Sequence, residues 1–276
     1  MLGIVACETL YDELRRSAPD AVVELIPQWY HEFPIHAPES ERIHDAIQER
    51  IRTLEGAGVD EILVLYHDPD GVAGIRTSDV PLYVHHGGDC IELFLTDRPK
   101  GPHGERKAAG TYYLTRGWID VGLDCYKVYK AYGGELDEVI GRFEDAQEKH
   151  PDLRVTWPRS ERIEQATARS ESMRTPPETL VRDVVSCYHH VVLLDTGNLY
   201  PFHQKYAEEF CEFVAEVGGD DSPSASVSLS VMNGEHTRLE QILDTPDSAP
   251  DVERYAAGTP VPEPTKASPL SESLAE

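Results

Sequence analysis

The sequence predicts an α/β fold: a doubly wound, mostly parallel sheet with helices on both faces. Three observations predict it. Strand-like and helix-like segments alternate along the first 65 residues, the pattern of parallel strands joined by crossover helices. Runs such as Ile62-Leu63-Val64-Leu65 are apolar without alternation, as in strands covered on both faces. Four apolar runs each end in reactive side chains, and the carboxyl edge of an open parallel sheet is where ligands sit.

Residues 2–6 read as a buried strand and 9–16 as a short helix. A second strand spans 21–26. Residues 39–54 read as a helix, because Ile43, Ile47, Ile51 and Leu54 share one face and charges fill the other. Ser40 marks its start, and Gly56 and Gly58 its end. Further strands are read at 61–65 and 80–84. Residues 96–109 are rich in Pro, Gly and charge and read as a surface loop, and 110–120 as a compact aromatic segment. Leu136 to Lys149 is a polar helix, and 151–177 an excursion from the domain. Val181 to His190 leads into a fourth core strand at 191–194. Tyr206, Phe210, Phe213, Val214 and Val217 form a helical stripe. Val227, Leu229 and Val231 alternate with serines, as in a half-exposed strand, and a short helix carries Leu239, Ile242 and Leu243. Residues 1–244 are thus expected to form one domain, and 245–276, rich in Pro, Ser, Glu and Ala, a disordered acidic tail.

Acidic residues outnumber basic ones 50 to 25, for a net charge of -25. The excess is spread along the chain, as in adaptation to a high-salt cytoplasm, where dense carboxylates hold water and salt screens their repulsion. No basic stripe offers itself to a nucleic-acid backbone. No stretch approaches the ~18 apolar residues of a membrane span, and a cytoplasmic location is expected. Five scattered cysteines, an odd number with no CxxC pair, point to reduced thiols rather than a disulfide framework. Dinucleotide, P-loop, zincin and nucleophile-elbow motifs are absent, as is the Asp-x-His-x-x-Gly loop of cobalamin carriers.

The four strand ends supply the candidate site. They are Cys7-Glu8; Tyr66-His67-Asp68; His85-His86-Gly87-Gly88-Asp89-Cys90; and Asp195-Thr196-Gly197-Asn198. Two glycines after a strand allow a sharp turn and close approach of a ligand. A helix N-terminus at Asp89-Cys90 would favour the thiolate of Cys90, or else Asp89 is simply an N-cap and Cys90 a small buried side chain. Cys7 and Cys90, with His67, His85 or His86, make a thiolate–imidazole set of the kind transition metals prefer. His85 and His86 point to opposite faces of a strand, so at most one of them faces the pocket. Cys90, Asp89 and His67 are the candidate catalytic groups. Asp195, Thr196, Gly197 and Asn198 read as an anion- or hydroxyl-binding turn, or equally as an Asx-turn. Tyr112, Tyr113 and Trp118 form either the aromatic wall of a pocket, with Arg116 contacting an anion, or a satellite cluster under a loop.

The pieces Ile4-Val-Ala-Cys7, Ile35-His36-Ala-Pro38, the strand ending at Tyr66 with Gly71 to Gly74 beyond it, Asp89-Cys90-Ile91, Gly110-Thr-Tyr-Tyr-Leu-Thr-x-Gly-Trp118-Ile and Asp195-Thr-Gly197 together resemble the domain of unknown function 1638 family of archaea and bacteria, over residues 1–245. This chain looks like a divergent, acidic, haloarchaeal-type member. The resemblance implies a link to corrinoid-dependent one-carbon metabolism, hence methyl transfer, a transition metal or corrinoid as cofactor, and corrinoid or methyltransferase proteins as partners. Typical members carry a Gly-x-Cys-Gly turn after the strand matching 61–65 and a His before the Asp-Cys pair. Here those places hold His67-Asp68-Pro69-Asp70-Gly71 and Gly88, so two of three family thiols remain. The expectation is a pocket of Cys, His and Asp at the strand ends that takes a small-molecule ligand. The alternative is a non-catalytic accessory protein that holds a small anionic ligand through Arg116, Thr196 and Asn198. Whether it is an enzyme stays open.

Overall fold

The computed structural model describes residues 1–28, 40–95, 98–100, 106–133, 135–155, 176–219 and 223–264. Apolar runs become strands where expected. β1 (Leu2–Cys7), β2 (Val22–Ile26), β3 (Glu61–Leu65) and β4 (Leu82–His85) lie parallel in the order β2-β1-β3-β4. A one-turn 3-10 helix (Glu8–Leu10) and α1 (Tyr11–Ser17) come directly after β1. The crossover helix α2 (Ser40–Gly56) buries Ile43, Ile47, Ile51 and Leu54 against Val5, Ile62, Val64, Leu82 and Val84, as its 3.6-residue stripe requires.

Two features correct the sequence reading. The fourth core strand belongs to a second sheet: β5 (Thr111–Leu114), β6 (His190–Asp195) and β7 (Ser228–Asn233) form a separate parallel sheet in the order β5-β6-β7. The compact aromatic segment is therefore a strand leading into α4 (Arg116–Val121). The chain after residue 244 is also structured. β8 (Val252–Tyr255) pairs antiparallel with β4 and completes the first sheet, so the disordered tail expected from residue 245 does not start there. Residues 265–276, and 156–175 of the expected excursion, lie outside the described residues.

Among the described residues the remaining α-helices are α3 (Pro69–Val72), α5 (Cys125–Tyr132), α6 (Leu136–Lys149), α7 (Pro177–Val185), α8 (Pro201–Gly218) and α9 (Thr237–Asp244). α5 to α8 cover one face of the second sheet, where Leu114, Val191 and Leu193 meet Phe143, Val181, Tyr206, Phe210 and Val214. The other face (Tyr113, Val192, Leu194) packs on Ile4, Ala6, Leu63 and Leu65 of the first sheet, with Leu10 and Leu14 from the 3-10 turn and α1, and Leu239 and Ile242 of α9, between them. The element after β1 therefore sits where the carboxyl edges of the two sheets meet. No described helix is long and apolar enough to cross a membrane.

Candidate functional site

Thr9, two residues beyond the end of β1, organises the first group. Its hydroxyl donates to Cys7 Sγ at 3.1 Å, and it also lies beside the Cys90 thiol. Thr9 thus neighbours two thiols that stand 83 positions apart in sequence. Burial pushes the Cys7 thiol up to about 12, against the Thr9 hydrogen bonds that lower it. Burial likewise raises Cys90 well above the ordinary thiol value, and the nearby Cys7 and Asp89 add to the rise. The helix dipole expected to favour a Cys90 thiolate is absent. Beyond Cys90 the chain makes only a single 3-10 turn, Glu92–Phe94, too short to sum into a macrodipole. Asp89 closes an Asx-turn ahead of it, accepting from Ile91 N (3.1 Å) and Glu92 N (3.2 Å), and pairs with Lys107.

The histidines go elsewhere. His67 is exposed. His86 turns to the rim, with Nε2 3.2 Å from Tyr255 Oη and 3.8 Å from Glu253. His85 is buried on the opposite side of β4, its Nε2 3.5 Å from Arg238 Nη2. Burial lowers its pKa to about 4, and Arg238 reinforces the shift. The two histidines diverge as strand alternation demands. Among the described residues no three His, Cys, Asp or Glu side chains are grouped as a metal ion requires. His36 lies outside the described residues.

The second group surrounds Arg116, the first residue of α4, which is 2% exposed. Its Nε donates to Asp120 Oδ2 (3.2 Å), Nη1 to Asn198 O (3.2 Å), and Nη2 to Asp152 O (3.1 Å) and Oδ2 (2.9 Å). Asp12 Oδ2 lies 3.6 Å from Nη1. Tyr11 donates to Asp120 (2.8 Å) and Tyr200 to Asp152 (2.8 Å), and both rings flank the guanidinium. His203 accepts from Tyr200 N at Nδ1 (2.8 Å) and meets Asp120 Oδ1 through Nε2 (2.9 Å). Burial disfavours the charge on Arg116, but Asp152, Asp12 and Asp120 more than offset it and raise its pKa. Asp152 is held below the ordinary carboxyl range by Arg116 and Tyr200, which outweigh its desolvation. A recess of about 300 Å³ opens beside this network, bordered by Arg15, Arg16, Asn198 and Tyr200.

The loop after β6 closes onto α1. Asn198 Nδ2 donates to Asp12 Oδ2 (2.9 Å) and Glu13 Oε1 (3.0 Å), while Thr196 Oγ1 lies 2.9 Å from both Glu13 Oε1 and Asn198 Oδ1. Burial raises the Glu13 pKa above its ordinary 4.5. Asp195 accepts from Gly197 N at 2.8 Å, so the turn is an Asx-turn, with Gly197 at φ +78°. The two groups touch through Thr9: a Cβ on Gly117 would lie 1.8 Å from Thr9 O, so only glycine lets α4 approach the residue bonded to Cys7.

The structure thus brings Cys7 and Cys90 together, and Arg116 with Thr196 and Asn198, but not the three aromatics. Tyr112 and Tyr113 alternate across β5. Tyr112 and Trp118 pack with the helices, Trp118 Nε1 donating to Tyr112 Oη at 3.2 Å. Tyr113 lies in the layer between the sheets, accepting from Arg98 Nη1 at 2.6 Å. Sequence reading missed Thr9, Asp12, Asp120, Asp152 and Tyr200. The i,i+4 spacing of Arg116 and Asp120 was the one available signal.

The chain belongs to the family described as Protein of unknown function (DUF1638), whose pattern matches residues 31–218. No curated protein and no solved structure matches the chain.

Proposed function

We propose that this DUF1638 member is a cytoplasmic protein whose working centre is the Cys7–Cys90 pair, which holds a soft transition metal ion or meets a metal-bearing cofactor such as a corrinoid in one-carbon chemistry. The observation that carries the reading is the nearness of the two thiols, from the end of β1 and the turn after β4, with Thr9 bonded to Cys7 and beside Cys90. Two sulfur donors select soft cations over magnesium or calcium. The described residues fit a two-sulfur ion such as copper(I); a tetrahedral zinc site takes two more donors. Each thiol releases its proton on binding, and the cation's charge offsets the burial that otherwise keeps both protonated. The methyl-transfer part of the reading rests on the family resemblance.

Anaerobic purification with mass spectrometry of bound metal tests it. Wild-type protein is expected to carry about one soft ion per chain, and Cys7→Ser and Cys90→Ser about tenfold less, the loss typical when a metal site is impaired. Background metal in all three ends the metal reading.

A second reading is favoured by the recess beside Arg116, where Arg15 and Arg16 face solvent at 61% and 40% side-chain exposure. It makes the protein a non-catalytic accessory that holds a small anion, with the cysteines merely packed. Background metal, together with Cys7 and Cys90 that alkylate only after denaturation, selects it.

A further inference from the structure

The chain carries 25 more acidic than basic residues, yet a second cleft, apart from the recess beside Arg116, also collects cations. Its volume is about 410 Å³, and Lys100, Arg106 and Arg238 line it together with Thr237, Gln241 and Asp251. Asp251 is the single carboxylate among the described residues that line it. It pairs with Arg238 and lies 3.7 Å from Lys100 Nζ, so among the described lining residues three positive charges meet one negative, with Glu92 close behind Arg238. Arg106 Nε and Nη1 are shielded from solvent with no hydrogen-bond partner among the described residues. Shielded N–H donors without acceptors are costly, and two arginines near enough to oppose each other's charge add to the cost.

The backbone is shaped to hold this arrangement. A Cβ on Gly87 would lie 2.3 Å from Arg238 Nη2, 2.7 Å from His85 Nε2 and 2.8 Å from Asp251 Cβ. The Gly87-Gly88 turn after β4 therefore owes its first glycine to Arg238, which α9 supplies, and to Asp251 beside β8. Ile242, Ala249 and Pro250 give the cleft an apolar side, the usual composition of a small-molecule pocket with a few convergent polar groups.

We propose that this cleft binds a small molecule bearing clustered negative charge, a phosphate ester or a polycarboxylate, with Arg106 and Arg238 as the paired guanidinium clamp and Lys100 at the mouth. Guanidinium groups match both oxyanions through paired N–H donors. The site is separate from the thiol pair and from the Arg116 network, so it stands or falls independently of the metal reading.

Titration calorimetry at ionic strength fixed with potassium chloride tests it, using pyrophosphate and tricarballylate as probes. One probe is expected to bind at one per chain, and which one does assigns the oxyanion class. Arg106→Gln is expected to weaken that binding at least about tenfold, the loss of a charge-assisted bond, and Lys100→Gln about threefold, as for a more exposed charge. Should Arg106→Gln fail to fold by circular dichroism, Lys100→Gln, whose side chain is 49% exposed, decides alone. Absence of binding by both probes at millimolar concentration, or variants that bind as wild type does, overturns the proposal.

Discussion

Glu13 shows how burial sets chemistry at a single side chain. It is fully buried, and its Oε1 receives Asn198 and lies against Thr196. Because burial raises its pKa above 4.5, the folded chain keeps the proton longer than the unfolded one. The stability this proton brings is fully present below about pH 4.5 and is lost as pH rises through the folded value. Glu13→Gln keeps the shape and stays neutral. In urea unfolding across pH it is expected to flatten the fall in stability above pH 4.5 and to match or exceed wild type at pH 7. Glu13→Leu is expected to lose about 1–3 kcal/mol, because Asn198 and Thr196 are left facing an apolar group. A loss of stability at pH 7 in Glu13→Gln would show that the carboxylate is ionised in the fold. None of this was legible in the sequence, where Asp12-Glu13 looks like the acidic first turn of an exposed helix. The loop after β6 converts it into a buried acceptor, and that contact spans 183 positions.

At the scale of elements, α4 is fixed by contact more than by propensity. It has six residues, an N-cap from Thr115 to Trp118 N (3.1 Å), and Gly117 pressed against Thr9 O. Gly117→Ala sets a methyl group into backbone rather than into a pliable side chain. It is expected to lower stability by about 1–3 kcal/mol, as overpacking does, and to expose the thiol pair by moving the turn that carries Thr9. Chemical denaturation and the alkylation rate of Cys90 read the two effects, and a variant unchanged in both removes the link between α4 and the thiols. Long periodic elements were plain in the sequence: β3 and α6 match their expected bounds, and α2 carries its stripe of Ile43, Ile47, Ile51 and Leu54. β5 was not, because four residues with alternating faces, Tyr112 outward and Tyr113 inward, carry too little pattern to separate a strand from an aromatic loop.

Across the whole molecule, the division into two sheets escaped the sequence because strand pairing is non-local. β6 is as apolar as β3, and nothing within it says which sheet it joins. The strand-end reading named the thiols and the Asn198 loop, and the aromatic segment named Arg116; two edges and α1 bring them near one another rather than one edge. The net charge of -25 acts on the molecule as one body. Like charges repel more in the compact state, and salt screens them over about 10 Å at 0.1 M and about 3 Å at 1 M. The midpoint of thermal unfolding is therefore expected to climb by several degrees between 0.1 M and 2 M potassium chloride. A flat or falling midpoint by calorimetry would mean that the carboxylates are already neutralised in pairs.

The antiparallel β8 has a bearing on how the sheet is finished. It hydrogen-bonds along the flank of β4 from Leu82 to His85, and an uncovered flank is a template on which another chain can add a strand. A chain stopped after α9 would present that ladder bare and lose Asp251, which holds Arg238. This final strand therefore serves as a molecular hem, guarding the solubility of the main sheet while completing the wall of its cationic cleft.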